Sequence, residues 1–109
     1  MRRGDIVTIA LQGDYGKPRP AVVIQSNDFL NGHPSILLCP ITSDLQTAPL
    51  LWIEVAPSRQ NGLRAVSQIM SDRIVSARPE KIGGEIGHLE AEALERLDAA
   101  LALVIGLTE

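Results

Sequence analysis

Arg19 stands between two prolines, in Lys17-Pro18-Arg19-Pro20, at the mouth of the β-branched run Val22-Val23-Ile24. Each proline fixes its own φ and pushes the residue before it toward extended backbone, so Lys17 and Arg19 are both held straight. A guanidinium on so stiff a stem is an anion anchor: a permanent cation with five donors in one planar fork. Lys17, Arg64 and Arg73 are the other cations near the ends of proposed strands. The rest of the inventory is mostly negative. The sequence holds no histidine pair at metal-ligand spacing, no paired-carboxylate motif and no phosphate-cradling glycine loop. No metal and no cofactor are therefore expected. His33 lies in a proline-flanked turn and His88 just ahead of a helical pattern, and isolated loop imidazoles read as solvated groups.

Strands must deliver these groups. Residues 5–11 alternate imperfectly between apolar and polar and read as a first strand. Residues 12–18, with two glycines, an aspartate and a proline, read as a loop. Residues 20–25 form a second strand, and Ser26-Asn27-Asp28 caps a single helical turn through Leu30. A turn at 31–34 leads to a buried third strand at 35–42, then a polar, irregular segment at 43–49. A fourth strand at 51–55, a turn at 57–62 and a fifth strand at 64–70 follow; 73–77 begins as a turn and ends extended. Residues 81–86, interrupted by Gly83-Gly84, make a short edge strand at best. From Ala91 the pattern changes: Leu94, Leu97, Leu101 and Val104 recur at helical spacing. Glu90, Glu92 and Glu95 suit the helix start, although Glu90 is a weak N-cap, and Gly106 suits its end. Short strands followed by one helix give an α+β domain across residues 1–109.

Composition agrees with one small core. The chain is 45% hydrophobic but only 3% aromatic, so that core is built from Val, Ile, Leu and Ala. The single Cys39 lies inside an apolar run and has no disulfide partner in the chain, as for a buried structural thiol of a cytoplasmic protein. No apolar run is long enough to cross a bilayer, and Arg2-Arg3 lead into no secretory signal. The net charge of −3 argues against a general nucleic-acid binder. It is unevenly spread. Residues 1–78 carry eight Lys/Arg against six Asp/Glu (+2), and residues 79–109 carry two against seven (−5). A local cationic patch on the β-rich part is compatible with this balance.

Arg3-Gly4-Asp5-Ile6-Val7 and the stretch from Gly16 to Gln25 together resemble the MazF/PemK family of bacterial toxin endoribonucleases. Cys39-Pro40-Ile41-Thr42-Ser43 is similar to the family strand that ends in Pro-x-Thr. Residues 62–74 and the closing 87–107 continue the likeness. No one motif is specific; four in order, across essentially the whole chain, carry it. The resemblance implies a strongly bent, barrel-like antiparallel β-sheet with a C-terminal α-helix, a homodimer and a cognate antitoxin. It also implies metal-free cleavage of single-stranded RNA. Arg19 and Thr42 fall on its catalytic positions. Lys17, Ser43, Arg64, Ser67 and Gln68 are the candidate RNA contacts.

That chemistry fits the inventory. When the substrate's own 2′-hydroxyl attacks, the protein has to hold it in line with the phosphate and stabilise charge at phosphorus. A forked Arg19 and a Thr42 hydroxyl supply donors for this, and the products are a 2′,3′-cyclic phosphate and a 5′-hydroxyl. The general base is unassigned. Some family members have Asp-Gln where this chain has Ser67-Gln68, and Asp72 reads as a turn residue before Arg73. Trp52, the only tryptophan, reads as core packing rather than a base-stacking platform. Two other functions stay open: a gyrase poison like the related CcdB toxins, and a degenerate homologue that only binds antitoxins. The chain ends Val104-Ile105-Gly106-Leu107-Thr108-Glu109, without the Trp-Gly-Ile terminus typical of the CcdB toxins.

Overall fold

The β-branched runs form the middle of a seven-stranded antiparallel sheet in a computed structural model that describes residues 1–10, 17–47 and 51–108. The strands are β1 (Asp5–Ile9), β2 (Arg19–Val23), β3 (Ile36–Thr42), β4 (Ile53–Val55), β5 (Ser67–Ile69), β6 (Val75–Ala77) and β7 (Ile82–His88). One helix, α1 (Ala91–Val104), closes the chain. The order across the sheet is β4-β5-β3-β2-β1-β7, with β6 branching from β3. β4, β6 and β7 are therefore edges, and the expected strongly bent antiparallel sheet with a C-terminal helix is what the chain forms, turning at β3 and left open at these edges. The loop expected at 12–18 and the segment at 43–49 lie partly outside the described residues.

The turn has a chemical cause. β2 occupies one edge of β3, pairing Ala21 with Pro40, Val22 with Cys39 and Val23 with Leu38. The other edge is shared. β6 pairs with residues 36–38, and β5 takes over at Ile41 and Thr42. Pro40 sits at the changeover. It has no N–H to offer a ladder, and its carbonyl accepts from Met70 N at 3.0 Å. A proline is tolerated in the middle of this strand because no partner needs its donor there.

Alternation then sorts side chains onto two faces. Ile6, Val22, Cys39 and Ile41 point toward α1 and pack with Leu89, Ala93, Leu97 and Leu101. Val7, Ile9, Ala21, Val23, Ile36 and Leu38 form a second cluster on the opposite face. Burying each such side chain stabilises the fold by about 1.5–3 kcal/mol. The expected leucine stripe of α1 is thus spent inside the chain, with Leu97 and Leu101 buried. The helix stops as read: Gly106 has φ +81°, Leu107 N reaches Ala102 O at 2.8 Å, and Gly106 N reaches Leu103 O at 3.2 Å. Ser26 also caps its short 3₁₀ turn, accepting from Asp28 N at 3.3 Å. Cys39 is buried and free, and burial pushes its thiol up to about 12, leaving it protonated and inert. No helix among the described residues is long and apolar enough to cross a membrane.

Three expectations need correction. Residues 82–88 are a seven-residue strand, not a broken one: Gly83 and Gly87 serve close approach, and Gly84 faces open space. A Cβ on Gly83 would meet Thr8 Oγ1, and one on Gly87 would meet the Gln60 carbonyl. The fifth strand is shorter than 64–70, with 63–66 leaving the sheet as a loop. Trp52 is half-buried and outside both core clusters. Its indole N–H donates to Asp72 Oδ1 at 2.8 Å, and the Arg73 guanidinium lies 5.3 Å from its ring centre.

Candidate active site

A groove of about 930 Å³ opens where β3 changes partners. Its walls are the start of β2, the end of β3, the loop at 62–65 and the turn from Met70 to Val75. Arg19, Thr42, Ser43, Arg64 and Ser67, five of the seven residues singled out from the sequence, line it. Lys17 is exposed on the approach to β2 and Gln68 is buried; neither is on the groove wall.

Register explains the first pair. The β2–β3 pairing runs 21 with 40, 22 with 39 and 23 with 38. The ladder ends there, with Arg19 and Thr42 each two residues beyond the last pair, so the two stand at adjoining strand ends and line the same groove. The two share the sheet face of Ala21 and Leu38, away from α1. Arg19 is exposed and, among the described residues, has no ion-pair or hydrogen-bond partner to give up when an anion binds. Thr42 Oγ1 accepts from Asp44 N at 3.0 Å, which fixes the rotamer and leaves the hydroxyl proton free to be donated.

The amide of Gln68 does a different task from the one expected. Its Oε1 accepts from Gln46 N at 2.8 Å and its Nε2 donates to Gln46 O at 3.2 Å. This two-point latch holds the segment that carries Ser43 and Asp44. Ser67 is buried and donates to Ala65 O at 2.9 Å, shaping the 62–65 wall. That wall is anchored from behind by Asn61, which is fully buried. Asn61 Oδ1 accepts from Ser58 N and Leu63 N, and Nδ2 donates to Ala56 O and Glu90 Oε1, each at 3.0 Å. Burial raises the Glu90 carboxyl, but the hydrogen bonds from Ser58 and Asn61 and the nearby His88 outweigh it, and the net result is a lowered pKa.

Arg73 joins the groove although the sequence reading placed it only among cations near strand ends. Its guanidinium is steadied by Met70 Sδ at 3.8 Å and by the Trp52 ring. Three arginines thus face one carboxylate, Asp44, among the described lining residues. The histidines take no part. His33 Nδ1 is 2.8 Å from Ser35 O, and His88 Nδ1 is 2.8 Å from Asp5 Oδ1, at the far end of β1 from Arg19. The Asp5–His88 pair spans 83 positions, and no local signal in the sequence marks it. Among the described residues no group of three or more His, Cys, Asp or Glu side chains is arranged to hold a metal. The arrangement offers an anion three guanidinium groups and a neutral hydroxyl donor along one groove.

Known proteins are similar to this chain in sequence and fold. The profile of the family described as "PemK-like, MazF-like toxin of type II toxin-antitoxin system" matches residues 2–105. A probable endoribonuclease MazF of Mycolicibacterium smegmatis is 37% identical over 108 residues, covering 98% of each chain. Endoribonuclease EndoA of Bacillus subtilis is 25% identical over 113 residues, covering 100% of this chain and 97% of its own. Among solved structures, a mycobacterial endoribonuclease in complex with its cognate antitoxin matches with a TM-score of 0.83 at 19% identity. That match covers 100% of this chain and 98% of the other, and it speaks for the fold. Because the profile runs from β1 through α1, and one relative is more than a third identical end to end, the chain belongs to the PemK-like, MazF-like family of type II toxins.

Proposed function

We propose that this chain is a MazF-like toxin endoribonuclease of a toxin–antitoxin system, acting in the cytoplasm on single-stranded RNA through one domain over residues 1–109. The observation that carries the reading is that Arg19 and Thr42, at adjoining ends of the paired strands β2 and β3, line one groove. The phosphate of the RNA sits between them. Arg19 forks onto its non-bridging oxygens and Thr42 donates one neutral hydrogen bond. Both contacts strengthen as charge builds on the pentavalent phosphorus. The 2′-oxygen attacks in line, the 5′-oxygen leaves, and the products are a 2′,3′-cyclic phosphate and a 5′-hydroxyl, with no metal required. Arg64, Arg73, Ser43 and the exposed Lys17 track the flanking backbone; Ser67 and Gln68 hold the walls in place.

The relatives' printed names point to the same activity, and the mycobacterial complex brings a second partner into the reading. A cognate antitoxin restrains this chain by laying a flexible acidic segment in the cationic groove, where it excludes RNA. The working form is a homodimer. The test is digestion of a long mixed-sequence RNA by the purified chain in excess EDTA, with the ends of the fragments identified. Defined fragments ending in cyclic phosphate are expected. Intact RNA, or cleavage that returns only when a divalent cation is supplied, overturns the proposal.

A further inference from the structure

The groove holds one charged group that the scheme above leaves idle. Asp44 is the only carboxylate among its described lining residues, and no hydrogen bond or ion pair among the described residues engages that carboxylate. Three other candidate proton acceptors are engaged elsewhere. Asp72 receives the Trp52 indole, His88 faces Asp5, and His33 faces Ser35. The Ser67 hydroxyl, where some relatives carry an aspartate, donates to Ala65 O.

Asp44 is also held in place. Its amide bonds Thr42 Oγ1 at 3.0 Å, and the Gln46–Gln68 latch fixes the chain two residues further on. Asp44 lines the same groove as Thr42, two residues along the chain, so its carboxylate is the one beside a phosphate that Thr42 grips, where the attacking 2′-oxygen must stand about 3–3.5 Å from phosphorus in a reactive pose.

We propose that Asp44 is the general base of this site, an assignment that rests on the RNA-cleaving reading above. The Asp44 carboxylate takes the 2′-hydroxyl proton, and the oxygen's electron pair forms the bond to phosphorus. The P–O5′ bond breaks, its pair stays on the 5′-oxygen, and that oxygen takes a proton from water. The proton on Asp44 returns to the hydroxide so formed, and nothing is oxidised or reduced. A lone negative charge in a phosphate groove weakens binding, so the same residue has opposite effects on affinity and on rate.

That opposition gives the test. Asp44→Asn is compared with the native chain in single-turnover cleavage of a long single-stranded RNA, and in binding of the same RNA with 2′-O-methyl on every ribose. The variant should lose a hundredfold or more in cleavage rate while binding the methylated RNA as tightly as the native chain or tighter. Asp44→Glu should regain part of the rate. Thermal melting checks that both variants fold, which the unpaired exposed carboxylate leads us to expect. Native cleavage with an unmoved Asp44→Asn rate, or with rate and affinity falling together, overturns this assignment alone. A native chain that leaves the RNA intact fells the nuclease reading and this one with it.

Discussion

Asn61 is where the fold and the site can be broken by one substitution. Its side chain is fully buried and makes four hydrogen bonds, two accepted and two donated. Asn61→Ala strands the amides of Ser58 and Leu63 and the carbonyl of Ala56. These three residues are themselves half-buried or exposed, so water reaches some of the orphans. At about 1 kcal/mol for each poorly satisfied group, near the low end for buried ones, the loss is about 2–4 kcal/mol with the small cavity included. Asn61→Asp is the sharper variant. It keeps the acceptor for Ser58 N and Leu63 N but turns the donor end into an oxygen facing Glu90 Oε1, which Asn61 Nδ2 now touches at 3.0 Å. Two carboxylates then share a closed site, so Asp is expected to destabilise more than Ala at neutral pH and to recover as acid neutralises one of them. Urea unfolding at pH 7 and pH 5 measures both differences. The wall at 62–65 should loosen as well, so the surviving folded protein should show weaker RNA binding through Arg64. Variants within about 0.5 kcal/mol of the native chain, or an Asp variant as stable as native at pH 7, would refute the view that Asn61 anchors the groove.

Other consequences are simpler to read. Arg19→Ala should melt like the native chain, since the side chain is exposed and without a partner among the described residues, yet lose about a hundredfold or more in cleavage, roughly 3 kcal/mol of transition-state stabilisation. Native-like rates would remove Arg19 from the reaction. Thr42→Val should be milder, about fivefold, because one neutral hydrogen bond is worth about 1 kcal/mol; an unchanged rate would leave Thr42 a packing residue. The lowered Glu90 carboxyl contributes stability that is complete above the ordinary value of 4.5 and lost as pH falls below it. In acid titrations followed by circular dichroism, Glu90→Gln should be less stable at neutral pH and should lose less on acidification; equal acid sensitivity would count against the Ser58–Asn61–Glu90 cluster.

What was legible in the sequence follows the range of the forces involved. β-branched runs, the Ser26 cap and the Leu94-Leu97-Leu101 spacing are local signals, and each produced the element it announced. Arg19 and Thr42 were legible as candidates through their prolines and their likeness to a family. Their meeting in one groove depends on a pairing that only the folded strands supply. Gly83 misled because a glycine that breaks a strand and one that admits a neighbour look alike in one dimension. The difference lies in Thr8, many positions away. Trp52 misled for a similar reason: with so few aromatics the core seemed its natural place. Aliphatic side chains fill both clusters, and its polar N–H found Asp72 at the rim. Asp44 was invisible because it lay in a polar stretch with no pattern. Only the turn onto Thr42 gives its position meaning.

The negative net charge is the remaining tension, and the faces of the sheet resolve it. A chain at −3 should repel RNA if charge acted from its centre. Alternation instead sends Ile6, Val22 and Cys39 toward α1, and Arg19 and Thr42 the other way, so the acidic helix and these two residues lie on opposite faces of the central strands. The helix is also partly neutralised where it stands. Arg96 pairs with Glu92 and Arg3 with Asp98, each at 2.7 Å. Unpaired exposed charge is screened over about 8–10 Å at moderate ionic strength, close to the thickness of one packed layer. The field a phosphate meets is therefore set by Arg19, Arg64 and Arg73 against Asp44, and not by the sum over the chain. A proline that lets a strand change partners, and an alternation that parts acid from base, thus decide the same thing: where on a net-acidic protein an anion can be held.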